Sequence, residues 1–224
     1  MKVCFISHSA SRGGAELSLV ELVEALSKRG VHCSCVLPGP GTLTDLLSDK
    51  GIETAIVKYK PWVHRGPRVL RRAQRTLRNV QALPRLVGVI RRSRCDVAYT
   101  NTIAVGIGAV AAKIAGKPHI WHIREFGYED HKLSFDLGSF VSRRLMGLLS
   151  QACIANSKAV AEEYTPHVCG TPVSVVYNSV TLEPFEDEKP ANAPWRREGA
   201  LRCVLVGRLQ PRKGHEDTIG AMAE

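Results

Sequence analysis

Short β-rich apolar runs alternate with segments of helical period from Lys2 to about Leu182, and several of those runs are apolar at nearly every position. A strand without polar alternation must be covered on both faces, which a parallel sheet between two layers of helices provides. The first unit shows the pattern. "KVCFIS" (2 to 7) reads as a strand and "HSASRGGAE" as a glycine turn; in "LSLVELVEALSKRG", Leu19, Leu22, Val23 and Leu26 recur at helical spacing before Gly30 stops the helix. The unit repeats as strand 31–39, helix 42–51 and strand 52–59, then strand 96–102, a helix from Ile103 to about Ala115 and strand 118–123. A helix over about 135–149, strand 152–157, helix 158–164 and strand 173–178 complete the series. The expected fold class is α/β, a doubly wound parallel sheet over residues 1–182.

Residues 183–200, "EPFEDEKPANAPWRREGA", carry three prolines and many charges without periodicity, which reads as a linker. Its "EDE" (186 to 188) is a solvated charge run there, and no metal site is expected. "LRCVLVG" then begins a fresh strand, and "KGHEDTIGAMAE" puts Glu216 and Asp217 into a first helical turn. Residues 201–224 are therefore expected to be the first strand and partial first helix of a second domain.

Composition narrows the function classes. The apolar uncharged stretch Val97 to Ala112 holds Tyr99, Thr100, Asn101 and Thr102 and is shorter than the roughly 20 apolar residues of a membrane span. The apolar run Val3 to Ile6 is too short for a secretory signal. Seven cysteines without C-x-x-C spacing, with Cys4, Cys33, Cys35, Cys153 and Cys203 in strand-like runs, read as buried thiols of a reducing cytoplasm.

The net charge of +10 is local: twelve Lys or Arg and no Asp or Glu lie between Lys58 and Arg94, leaving nineteen basic against twenty-one acidic residues elsewhere. From Arg68 to Val80, Val69, Ala73, Leu77 and Val80 recur every three or four residues while Arg68, Arg71, Arg72, Arg75 and Arg78 fill the remaining surface. This describes a basic amphipathic helix, either docked on anionic lipid or acceptor or exposing one face from the sheet. Aromatic side chains for base stacking are nearly absent between Trp62 and Tyr99, so nucleic acid is not expected as a partner.

Open α/β sheets bind ligands at the carboxyl ends of their strands. Gly13 and Gly14 follow the first strand, and His122 and Asn101 end later ones. The glycines either admit a ligand against the backbone or simply make a tight turn, and His122 and Asn101 are either ligand contacts or satisfied structural groups. The dinucleotide and P-loop fingerprints are both absent. "VGRLQPRKG" (206 to 214) sets Arg208 and Lys213 around a proline after a strand, where two cations and helix N–H donors suit a diphosphate.

Taken together, "GGAE", "HIRE", "IANSKAV", "VVYNSVTLEPF" and "VGRLQPRKG" occur in an order and spacing that resemble family 4 glycosyltransferases of the GT-B fold. The resemblance covers essentially the whole chain. It implies a Rossmann-like N-terminal, acceptor-side domain and the start of a C-terminal donor-binding domain. It implies a retaining, metal-independent transfer from a nucleotide-diphosphate sugar to a saccharide or lipid-linked acceptor in cell-surface glycan synthesis, in the cytoplasm or at the inner membrane face. It further implies that Gly13 and Gly14 approach the donor, that His122 contacts the substrates and that Arg208 and Lys213 grip the diphosphate, with no cofactor. Ser179 and Asn101 depart from the residues more frequent in the family. The carboxylate pair spaced E-x7-E would lie beyond Glu224, so the 224 residues alone are expected to be inactive. Two rivals share these features: a GT-B sugar-nucleotide epimerase, which needs no acceptor, and a non-enzymatic domain that docks on anionic membrane or glycan.

Overall fold

The computed structural model describes residues 1–66, 69–179, 203–207, 209 and 213–223, the side chains of Val69, Leu70 and Asp130 excepted. The chain divides into two units, Met1–Val180 and Thr181–Glu224.

In the first unit β1 (Lys2–Ser7), β2 (His32–Leu37), β3 (Glu53–Ile56), β5 (Val97–Asn101), β6 (His119–Ile123), β8 (Ala152–Ala155) and β9 (Val173–Val175) form one sheet. Its order is β3-β2-β1-β5-β6-β8-β9, and every pairing in it is parallel. The chain runs outward from β1 to β3, returns to β5 and then runs outward the other way. The order therefore reverses between β1 and β5, which opens a crevice at their carboxyl ends.

Side-chain alternation along each strand feeds two helical layers. Phe5, Cys35 and Tyr99 pack under α1 (Gly14–Lys28), on Leu19 and Val23, and under α2 (Thr42–Asp49), on Leu43 and Leu47. On the opposite face Cys4, Ile6 and Ala98 meet Leu86 and Ile90 of α3 (Val69–Arg92) and Ala111 of α4 (Ile107–Ala115). Trp121 and Cys153 are covered there by Met146 of α6 (Ser139–Leu148) and by Val160 and Tyr164 of α7 (Lys158–Tyr164).

A long-range antiparallel pair absent from the sequence reading joins β4 (Val63–His64) to β7 (Ser134–Phe135), which follows the short helix α5 (Tyr128–His131). It brings Trp62 onto Trp121, with ring centroids 5.7 Å apart and nearly parallel. The helix expected from Ile103 begins only at Ile107, because residues 103–106 make a loop held by bonds from Ile103 N to Glu125 Oε1 and from Trp62 Nε1 to Ile103 O. The helix expected over 135–149 starts at Ser139, its first residues being taken by β7.

The expected basic helix is found, but as the first half of the 24-residue α3, which continues through Pro84. Leu77 and Val80, read as its apolar stripe, are 58% and 60% exposed, and the buried face is supplied by Ala82, Leu86, Val87 and Ile90 further along.

In the second unit the run expected as a strand has no ladder partner at residues 203–206 among the described residues, and Val204 and Val206 are exposed. A strand exists only through its ladder partner. Cys203, expected to be a buried thiol, is exposed for the same reason, as is Cys169; the remaining five thiols are buried. The helix α8 (His215–Ala221) follows, with Glu216 and Asp217 in its first turn.

Candidate functional site at the carboxyl edge of the sheet

The switch point between β1 and β5 collects polar groups that a sheet end has no structural need for. Ser7 ends β1, and the loop to α1 is pinned at Ala10, whose carbonyl accepts from Leu43 N at 2.9 Å. Gly41, at the start of α2, packs on the same carbonyl so closely that a Cβ there would collide with it. Gly13 is the N-cap of α1, and a Cβ on it would lie 2.5 Å from Glu16 Oε2. The carboxylate of Glu16, 4% exposed, thus folds back over the open end of its own helix, where the helix dipole favours a negative charge. His8 Nε2 lies 3.3 Å from the other oxygen, and burial lowers the pKa of this imidazole. Gly14 faces open space.

Asn101, at the end of β5, is fully buried: its amide donates to the carbonyl of Ala15 in α1 at 3.1 Å, while its oxygen accepts from Arg124 Nε at 2.7 Å. The next residue, Thr102, is β-branched and holds a left-handed backbone with φ of 76°. It is kept there by bonds from its N–H to His122 O and from Trp121 Nε1 to its own carbonyl, both 2.9 Å. Such conformations persist where the surroundings over-determine them, often beside a functional site.

Two histidines of β6 differ instructively. His119 is satisfied at both nitrogens, by Thr100 Oγ1 at 2.8 Å and Ser150 Oγ at 2.9 Å. His122, on the opposite face and 4% exposed, bonds Tyr99 Oη through Nδ1 at 2.6 Å and has no partner at Nε2. Burial pushes both imidazoles down to about 3, so both are neutral near pH 7. Burial also raises the Tyr99 phenol, which keeps its proton; donated to Nδ1, that proton leaves Nε2–H as an unused donor.

Arg124 follows two residues later on the same face and was not among the residues singled out from the sequence. Its Nε and Nη1 are held at 2.7 Å by the amide oxygens of Asn101 and Asn178. Asn156, at the end of β8, donates to its carbonyl at 2.9 Å. Burial lowers the guanidinium pKa, while Glu125, Glu16 and Glu21 act in the opposite sense. The amides orient the fork without neutralising it. Arg124 and Asn178 escape a linear reading because only the fold brings them together, Arg124 onto Asn101 and Asn178 onto Arg124, and Glu16 because its carboxylate turns back over Gly13.

The basic residues of α3 separate into two kinds. Arg71, Arg72 and Arg78 are exposed. Arg75 instead turns inward to grip both oxygens of Asp136, beside His64 Nδ1 at 3.1 Å, so its charge is consumed within the fold and not offered to a surface partner. Arg68 and Arg208 lie outside the described residues. Lys213, in the second unit, is exposed just before Gly214, the N-cap of α8, and its Cβ and Cγ pack 3.6 Å from the position of a Cβ on Gly207.

A family model described as Glycosyltransferase Family 4 matches residues 12–184. Among solved structures, Anabaena Alr3699/HepE in complex with UDP aligns with a TM-score of 0.59 at 23% identity, over 80% of this chain and 44% of that one. The lipopolysaccharide outer core galactosyltransferase WaaB, in its apo form, gives 0.58 at 17% identity over 84% and 50%. The UDP-GlcNAc 2-epimerase from Neisseria meningitidis bound to UDP-GlcNAc gives 0.53 at 14% over 80% and 46%. At these identities the likeness is one of fold, and the chain spans half or less of each neighbour's length. No curated protein matches the sequence.

Proposed function

The chain belongs to glycosyltransferase family 4, and from that membership we propose that it supplies the acceptor-side half of an enzyme that moves a sugar from a nucleotide-diphosphate sugar to a saccharide or lipid-linked acceptor, with retention of anomeric configuration. The observation that carries the proposal is the polar edge at the switch point, in a chain whose residues 12–184 match the family. Three groups there suit a sugar diphosphate: the bare backbone at Gly14, the unused donor of His122, and the fork of Arg124, which two neutral amides hold.

The carboxylate of Glu16 already occupies the open end of α1, which favours a hydroxyl-bearing sugar over an anion at that spot. The diphosphate is then left to Arg124 in the first unit; Arg208 and Lys213 are, by the family resemblance, donor-binding residues of the second. Fixed cations and N–H donors around a departing diphosphate lower the barrier electrostatically and require neither a metal nor a protein nucleophile.

The exposed first half of α3 suggests where such an enzyme works. Arg71, Arg72 and Arg78 beside exposed Leu77 would contribute ~3 kcal/mol toward an anionic bilayer at ~1 kcal/mol each, enough for reversible docking at the inner, cytoplasmic face. No helix among the described residues is long and apolar enough to cross a membrane. Cell-surface glycan synthesis on a lipid-linked acceptor fits that placement.

The test is transfer by the full-length product of the gene from a panel of UDP- and GDP-sugars to membrane lipid extract, with the product anomer read by NMR. Acceptor-dependent product of retained configuration supports the proposal; an inverted product removes the retaining mechanism. An epimerase is the second reading, since one stands among the fold neighbours. Conversion of a nucleotide sugar without any acceptor would establish it.

A further inference from the structure

Two clefts follow the carboxyl edge on the β3 side of the switch point. One, of about 470 Å³, lies between the chain leaving β3 and α3, with Val57, Tyr59 and Ala82 among its apolar walls and Lys58, Lys60, Arg78 and Arg85 around it. The other, of about 450 Å³, shares Pro38, Tyr59 and Lys60 with the first and extends to Ala10 and Ser11 in the glycine loop after β1. They form one path from α3 to the edge that carries the polar cluster.

Neither cleft is lined by an Asp or a Glu. Arg78 and Arg85 are seven residues apart on one face of α3, with Ala82 between them as the buried contact to the sheet. The lysine side is fixed as well: Asn79 accepts from Lys60 N at 2.8 Å and donates to Lys60 O at 3.0 Å, which clamps this turn to the helix. Tyr59, 2% exposed, holds the floor with its hydroxyl on the carbonyls of Ser7 and Val36. Four cations on low-dielectric walls without a facing carboxylate concentrate positive potential in a concave space.

We propose that this cleft binds the phosphate of a phosphorylated acceptor, with Lys58, Lys60, Arg78 and Arg85 around the phosphate and the acceptor's reacting end laid along the second cleft toward Gly13 and Gly14. The inference rests on the glycosyltransferase reading and adds to it the chemical class of the acceptor. The phosphate belongs either to a lipid headgroup or to a soluble phosphate, and the experiment separates the two.

Farnesyl phosphate, kept monomeric, and inorganic phosphate are titrated calorimetrically into the full-length protein with UDP held saturating, so that the donor position is filled. The expected result is farnesyl phosphate binding that weakens at least tenfold in Arg78→Glu/Arg85→Glu, while Arg29→Glu/Arg92→Glu, exposed and outside both clefts, binds as the wild type does. Inorganic phosphate binding as tightly as farnesyl phosphate assigns the cleft to the phosphate alone, and preference for farnesyl phosphate assigns it to a lipid headgroup. No binding of either probe, or equal weakening in both double variants, overturns the inference. Both variants are charge changes at exposed positions, so thermal unfolding is expected to match wild type. Absence of UDP binding would instead count against the glycosyltransferase reading and leaves the cleft's outcome separately readable from titrations without UDP.

Discussion

Arg75 and Arg124 are both partly buried guanidiniums gripped through two hydrogen bonds, yet they end in opposite electrostatic states. Arg75 meets the two oxygens of one carboxylate, Asp136, and its charge is cancelled within the fold. Arg124 meets the oxygens of two neutral amides, and its charge is oriented without being cancelled by its hydrogen-bond partners. The first arrangement ties α3 to the chain around β7; the second holds a cation at the carboxyl edge of the sheet. Glu125, Glu16 and Glu21 favour the charged form of Arg124 from nearby, but its hydrogen-bonding fork is held by amides and not by a carboxylate, and a partly buried cation held in that way is a candidate ligand contact.

The largest effect should come from breaking the neutralised pair. Asp136→Ala leaves Arg75 and His64 facing no carboxylate in a site where Asp136 is 4% exposed, and about 3–5 kcal/mol of stability should be lost in urea unfolding. A loss under 1 kcal/mol would mean that Arg75 relaxes into water and that the two arginines differ less than their partners suggest.

Acid should act next, through the histidine beside Arg124. Held at about 3 in the folded chain against an ordinary 6.5, His122 takes up a proton on unfolding; the stability this represents is present above pH 6.5 and is lost as the pH falls toward 3. By pH 5 the loss should reach about 2 kcal/mol, and His122→Gln should remove that part of the pH dependence. His119, with both nitrogens satisfied, shares the acid sensitivity but touches no candidate ligand position, so its Gln variant should alter the pH profile of stability and leave UDP affinity unchanged.

These contrasts also show what a linear reading can reach. Hydrophobic period and glycine stops located β1, α1, β2, α2, β5 and β6 because those elements are decided by neighbours three, four or two residues away. The antiparallel pair of Val63 and His64 with Ser134 and Phe135 is two residues long on each side and is decided by contacts about seventy residues apart. Pro84 normally ends a helix, yet α3 passes through it with the proline exposed, so the buried half supplied by Leu86 and Ile90 lay past an apparent stop. Gly13, Gly14, Asn101 and His122 could be located on the carboxyl edge from strand ends alone. Arg124 could not, since its meaning comes from Asn101 and Asn178, which are remote in sequence.

Asn178→Asp tests the comparison by making Arg124 resemble Arg75. The substitution is nearly isosteric and puts a carboxylate where an amide oxygen sits 2.7 Å from Nη1. Asn178 is exposed, so the new pair should add at most about 1 kcal/mol of stability. UDP affinity should fall several-fold, because the cation is then occupied. Stability and affinity moving in opposite directions would separate a ligand-facing arginine from a structural one; a rise in both would make Arg124 a fold element like Arg75.

The smallest stability effect belongs to arginines that the fold uses in neither way. Arg71 and Arg72 lie on the same turn region of α3 as Arg75 but are exposed, so Arg71→Glu/Arg72→Glu should shift unfolding by no more than about 0.5 kcal/mol. Whatever the pair does must then appear in binding. Sedimentation with vesicles rich in anionic lipid should fall in this variant, and wild-type binding should weaken as salt is raised, since exposed charges are screened within about 10 Å at 0.1 M. Binding that ignores both lipid charge and salt would assign the exposed half of α3 to Leu77 and Val80 alone, and the third state of an arginine in this chain, neither cancelled nor held for a substrate, would be plain solvation.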